Sequence, residues 1–175
     1  MATKITGRLY TKAEVGSLVD ALESHVREVH ELAVSAATDA KSGNSFHAYR
    51  AFRDKAGEFE TFSILIEGRL NRMEEGTDPQ LLAQFELLTS HTYKELIRAS
   101  IKFLYVLAAG ATLPLGTREI FMQELRTLHD TQKKLTEPRY AGRLDEETKR
   151  NLKVAEDILN EIIDKAPSLL NFGSR

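Results

Sequence analysis

The amino-acid sequence predicts an all-α fold, an elongated antiparallel bundle of four to five helices, three of them about thirty residues long. Three observations carry that expectation. Apolar residues recur three and four apart over long stretches, no segment alternates with the period of two that marks a half-buried strand, and each periodic stretch is bounded by helix-start and helix-stop residues. At 1.5 Å per residue each long helix would extend on the order of 45 Å. With 175 residues, 42% of them apolar, the chain is read as one helical-bundle domain over residues 1–175, because a chain of this size buries roughly 70% of its unfolded surface. Residues 1–10 are expected to be flexible, and 167–175 to form an apolar C-terminal tail.

The first helix opens on Thr11 followed by Glu14, a capping-box pattern, and runs from about Lys12 to Lys41. A heptad reading puts Val15, Leu22, Val29 and Ala36 in one row and Leu18, His25 and Leu32 in the next, so His25 is expected on the inward face. Ser42-Gly43-Asn44-Ser45 supplies a stop and a fresh start in a loop short enough to force an antiparallel partner. That partner is the second helix, about Phe46 to Glu75, with an inward row of Tyr49, Phe52, Ala56, Phe59, Ser63, Ile66, Leu70 and Met73.

Gly76-Thr77-Asp78-Pro79 ends one helix and begins another, with Asp78 as the cap and Pro79 where its missing N–H costs nothing. The third helix carries Leu81, Phe85, Leu88, Thr92, Leu96, Ala99, Phe103 and Leu107 on one stripe, with Leu82, Thr89, Tyr93, Ile97 and Leu104 beside it. From Leu96 towards Gly116 it becomes apolar nearly all round. A helix without a polar face must be buried in its own core or against a partner, and this surplus favours a homodimer. Tyr105 and Val106 in that stretch, with Leu169, Leu170 and Phe172 of the tail, are the candidate interaction residues. Thr117 starts the fourth helix, Thr136-Glu137-Pro138 closes it, and Pro138 to Arg143 reads as an irregular loop. Asp145 caps the last helix, which Pro167 is expected to end.

Composition narrows the function classes. Charged residues make up 29% of the chain but the net charge is only -2, so no overall field attracts nucleic acid or an anionic membrane. No cysteine is present, which removes thiol chemistry and thiolate metal sites and suits a reducing cytoplasm. The start lacks the apolar core of a signal peptide, and the run from Ile101 to Leu115 falls short of the roughly 20 apolar residues a spanning helix needs. The expected location is the cytoplasm, with no membrane partner.

Chemistry-bearing residues are few. No Glu-x-x-His pair of the kind that builds di-iron bundles occurs; the candidate metal ligands are His91 with Glu95 one turn later, and His25 with Glu28. His91-Thr92-Tyr93-Lys94 resembles the phosphoacceptor segment of histidine phosphotransfer domains over those four residues. The resemblance implies a phosphate-accepting histidine, but Glu95 stands where those domains place a glycine, setting a negative charge against the phosphoryl group. Lys133, Lys134, Arg139, Arg143 and Arg150 gather near the last interhelical loop as a basic patch, with Glu137, Asp145, Glu146 and Glu147 interleaved. No Gly-rich phosphate loop and no Trp is present, so no cofactor is expected. The sequence thus points first to a non-enzymatic cytoplasmic bundle acting through a protein partner, as a regulator, adaptor or chaperone. A metal- or cofactor-binding bundle is the alternative, and a phosphotransfer module stands below it.

Overall fold

A computed structural model describes residues 7–41, 46–109 and 117–170. The chain is all-α, as the periodicity predicts. Among the described residues five α-helices follow in order: α1 (Lys12–Lys41), α2 (Phe46–Leu70), α3 (Pro79–Ala109), α4 (Thr117–Leu135) and α5 (Glu146–Leu170), with a 3-10 helix, Pro138–Arg143, between the last two. Two compact units divide the chain, Met1–Thr92 and Tyr93–Arg175, the division falling within α3. The loop expected at Ser42–Ser45 and the end of the apolar stretch near Gly116 lie outside the described residues.

The helix starts are set by local chemistry. Thr11 and Glu14 form the reciprocal box: the Thr11 N–H donates to Glu14 Oε2 at 2.9 Å and the Glu14 N–H to Thr11 Oγ1 at 3.3 Å. Asp78 Oδ1 accepts from the Gln80 and Leu81 N–H groups at 3.0 and 2.9 Å, and Asp145 Oδ1 accepts from the Thr148 N–H at 2.8 Å. Gly76, with φ +83°, closes the turn before α3 in a conformation that side chains with a Cβ rarely adopt.

In the first unit α1 and α2 run antiparallel: His25 meets Phe62, and Glu28 meets Lys55, so positions rise on one helix as they fall on the other. Lys12 with Asp78, then Gly16 beside Leu81, then His30 with His91 climb together, which sets the first part of α3 parallel to α1. The core is the inward row of α2, with Phe52, Ala56, Phe59, Ser63, Ile66 and Leu70 all buried and Tyr49 half-buried at its end, together with Met73 just beyond the helix and Val15, Val19, Leu22, Val26 and Val29 of α1. The side chain inward at every second step of α1 is therefore Val19, Val26 or Ala33. Leu18, His25 and Leu32 are half-buried on the flank. His25 is not on the inward face that the heptad reading assigned it, because α1 serves two neighbours and its buried face lies between their directions.

α2 ends at Leu70, five residues before the expected Glu75. The cause is long-range: the Tyr10 N–H donates to the Arg72 carbonyl at 3.0 Å and the Glu74 N–H to the Tyr10 carbonyl at 3.0 Å, taking backbone groups out of the helical ladder. Arg69 also lies over the Tyr10 ring at 5.0 Å.

In the second unit α4 packs on α5. Leu125, Leu128 and Leu135 of α4, Ala155 of α5, and Leu96, Ile97, Ile101, Phe103 and Leu104 of α3 are buried. The loop expected at Pro138 to Arg143 is a 3-10 helix that buries Tyr140 edge-on against Tyr93, ring centroids 5.9 Å apart. α5 continues through Pro167 to Leu170: a proline removes one intrahelical donor, and the helix here closes its final turn without it.

Asp145 also accepts from Lys94 Nζ at 3.0 Å, and the Thr148 N–H together with that ammonium holds its carboxyl well below the usual range. A depressed folded-state value stabilises the fold above the unfolded value of about 4 and is lost as pH falls through the folded one. Asp145→Ala is expected to cost about 1 kcal/mol, as loss of a helix cap does. In urea titrations the gap between parent and variant should be constant above about pH 5 and narrow below about pH 4.

Candidate functional site

The residues singled out in the sequence fall into four places. His91 and Glu95 occupy successive turns of α3, with His91 exposed and Glu95 buried, its carboxylate paired with Arg98. Their nearest ligand atoms lie within 4.8 Å of each other. The structure does not bring His25 and Glu28 to them. In their place His30 of α1 meets His91, ring centroids 5.8 Å apart and ligand nitrogens within 4.8 Å. Sequence spacing shows His91 and Glu95 because one helix carries both; His30 depends on which face of α1 meets α3.

His25 and Glu28 serve the α1–α2 contact. His25 lies tilted on Phe62 with centroids 5.1 Å apart, its Nδ1 buried without a hydrogen bond. Glu28 pairs with Lys55, whose hydrogen bond holds that carboxyl below its ordinary value, while Glu28 and Glu58 push Lys55 up. His25, Gly57, Glu58, Thr61, Phe62 and Leu65 line an open groove of about 430 Å³. Beside it Ile64 is 70% exposed.

Within the segment that resembles a phosphoacceptor, Lys94 donates to Asp145 at the start of α5 rather than pointing its charge at His91. The basic patch is paired internally in part, at Lys134 and Arg139, and the neighbouring Lys149 is paired too. Glu137 takes Lys134 at 3.1 Å and Arg139 at 2.7 Å, Arg139 lies over the Tyr140 ring, and Lys149 pairs with Glu146 at 2.6 Å. Lys133 and Arg150 are exposed. Such a mixed corner has little net field to offer a polyanion.

Of the interaction candidates, Tyr105 is 59% exposed on α3. The backbone of Val106 lies in α3 and that of Leu169 and Leu170 in α5; their side chains and Phe172 lie outside the described residues. No helix among the described residues is long and apolar enough to cross a membrane. Compared with known proteins, the chain matches no protein-family model, no curated protein and no solved structure.

The exposure of Tyr105 separates it from the core of α3. Tyr105→Glu is expected to leave the helical circular dichroism intact and to shift unfolding free energy by no more than about 0.5 kcal/mol, the range of surface substitutions. A loss of several kcal/mol in urea unfolding would place the ring in the core instead.

Proposed function

We propose that this is a non-enzymatic, cytoplasmic interaction protein, a regulator, adaptor or chaperone, that seats an apolar helix of a protein partner along the outer face of α2. The observation that carries the reading is the position of Ile64 and Leu65. The solvent face of a helix in a bundle is ordinarily polar, yet here the two are 70% and 42% exposed. They continue a stripe through Gly57, Thr61 and Gly68, at offsets of four, seven, eight and eleven residues, which keeps all five on one side of the helix.

The chemistry of the stripe suits a helix better than a small ligand. A side chain built at Gly57 or Gly68 would meet nothing within 4 Å, so a partner backbone has room to approach. The groove between His25, Phe62 and Leu65 gives one or two apolar anchors of that partner a place to bury, the mode in which amphipathic helices dock. Glu58 and the paired Lys55 at its edge supply a polar rim of both signs.

The test compares the parent with Ile64→Asp/Leu65→Asp as bait for native partners, read by quantitative mass spectrometry. Both residues are exposed, so the variant should unfold within about 0.5 kcal/mol of the parent. Partners should be depleted at least ~10-fold, as expected when a central anchor is lost. Leu87→Asp, at another exposed apolar residue, should leave recovery unchanged. Equal recovery with the double variant overturns the reading. A dimer in sedimentation equilibrium that the double variant abolishes gives the face to a second copy of the chain.

A further inference from the structure

The pairing of His30 with His91 has a chemical meaning separate from the groove on α2. Two imidazoles on neighbouring helices, ligand nitrogens within 4.8 Å and rings tilted by 47°, are followed one turn along α3 by a carboxylate that also lies within 4.8 Å of His91. We propose that His30, His91 and Glu95 form a binding site for a divalent transition-metal ion of the zinc type.

The donor set selects the class of ion. Calcium and magnesium take oxygen ligands and bind imidazole poorly, whereas two imidazoles with one carboxylate suit zinc and its first-row neighbours. The geometry is close to what such an ion needs. With a metal–nitrogen bond of about 2.1 Å, an imidazole centroid stands roughly 3.2 Å from the metal, so two rings at a tetrahedral angle have centroids about 5.2 Å apart. The observed separation is 5.8 Å. Both histidines are exposed, so modest side-chain rotation closes the difference without disturbing the core.

Glu95 is suited to the third position. It is 8% exposed and held by Arg98, which fixes its rotamer; a carboxylate with about four lone-pair directions accepts both a guanidinium and a metal. Its negative charge attracts a cation to the histidines, and the hydrogen bond from Arg98 orients it as an outer partner orients a ligand. Three protein ligands leave a position for water, the arrangement of open rather than closed zinc sites. The ion would tie α1 to α3 within one turn of each.

Isothermal titration of the full chain, stripped with chelator, with zinc ion tests the site, and visible absorption of the cobalt-substituted protein reports the ligand field. One equivalent of zinc should bind to the parent. His30→Ala/His91→Ala should weaken binding by at least ~100-fold, more than loss of an outer-shell partner costs, with circular dichroism unchanged because both side chains are exposed. Glu95→Gln, which keeps a neutral oxygen beside Arg98, should weaken it by ~10-fold and alter the cobalt spectrum. His47→Ala/His129→Ala should bind as the parent does. Zinc binding by the parent weaker than about 1 mM, or equal binding by the double histidine variant, overturns the proposal; an unchanged Glu95→Gln removes the carboxylate from it.

Discussion

Burial of one face of α2 against α1 is the constraint from which the rest of the first unit follows. Phe52, Phe59, Ile66 and Leu70 are at most 1% exposed, and each such side chain contributes roughly 1.5–3 kcal/mol on leaving water. Ala56 and Ser63 sit between the large residues of that row and are themselves buried, which leaves space there for larger neighbouring side chains to pack. That row consumes the inward side of α2 completely. Whatever is apolar on its other side, Ile64 and Leu65 above all, adds nothing to this core.

The same constraint sets what α1 can do. Its buried face, Val15, Val19, Leu22, Val26 and Val29, is directed between two neighbours rather than at one. A heptad read from sequence assumes a single seam and therefore put Leu18, His25 and Leu32 inside; with two neighbours the seam turns by part of a residue step, and that row moves to the edge. His25 consequently lines a groove instead of filling a core, and His30 reaches α3.

How much of the fold was legible follows from how far apart the deciding residues lie. Thr11 with Glu14, Asp78 with Pro79, and Asp145 with the N–H of Thr148 are decided within three residues, and the sequence reading placed all three starts correctly. The end of α2 was not legible, because Tyr10, about sixty positions away, captures the backbone at Arg72 and Glu74. The 3-10 helix at Pro138–Arg143 was missed for the same reason: polar neighbours suggested a loop, while burial of Tyr140 against Tyr93 ordered it. Of the candidate cation site, His91 and Glu95 were readable as an i, i+4 pair. His30 was not, since nothing local couples it to α3. His25 and Glu28, also an intrahelical pair, passed the same local filter and lie at the α1–α2 contact, which shows that helical spacing nominates ligands without deciding what faces them.

His25 and His30 are five residues apart on α1, about 140° around the axis at 100° per residue. One helix thus presents an imidazole to the groove with α2 and another to α3. This geometry keeps the two proposed sites chemically independent, since no side chain is shared between them, while giving them one rigid element in common. Rotation of α1 about its own axis would move both imidazoles together, since one helix carries them. Any influence of the ion on a helix seated in the groove would therefore pass through the orientation of α1. Linkage makes such an influence reciprocal: occupancy of the groove would alter affinity for the ion by the same factor.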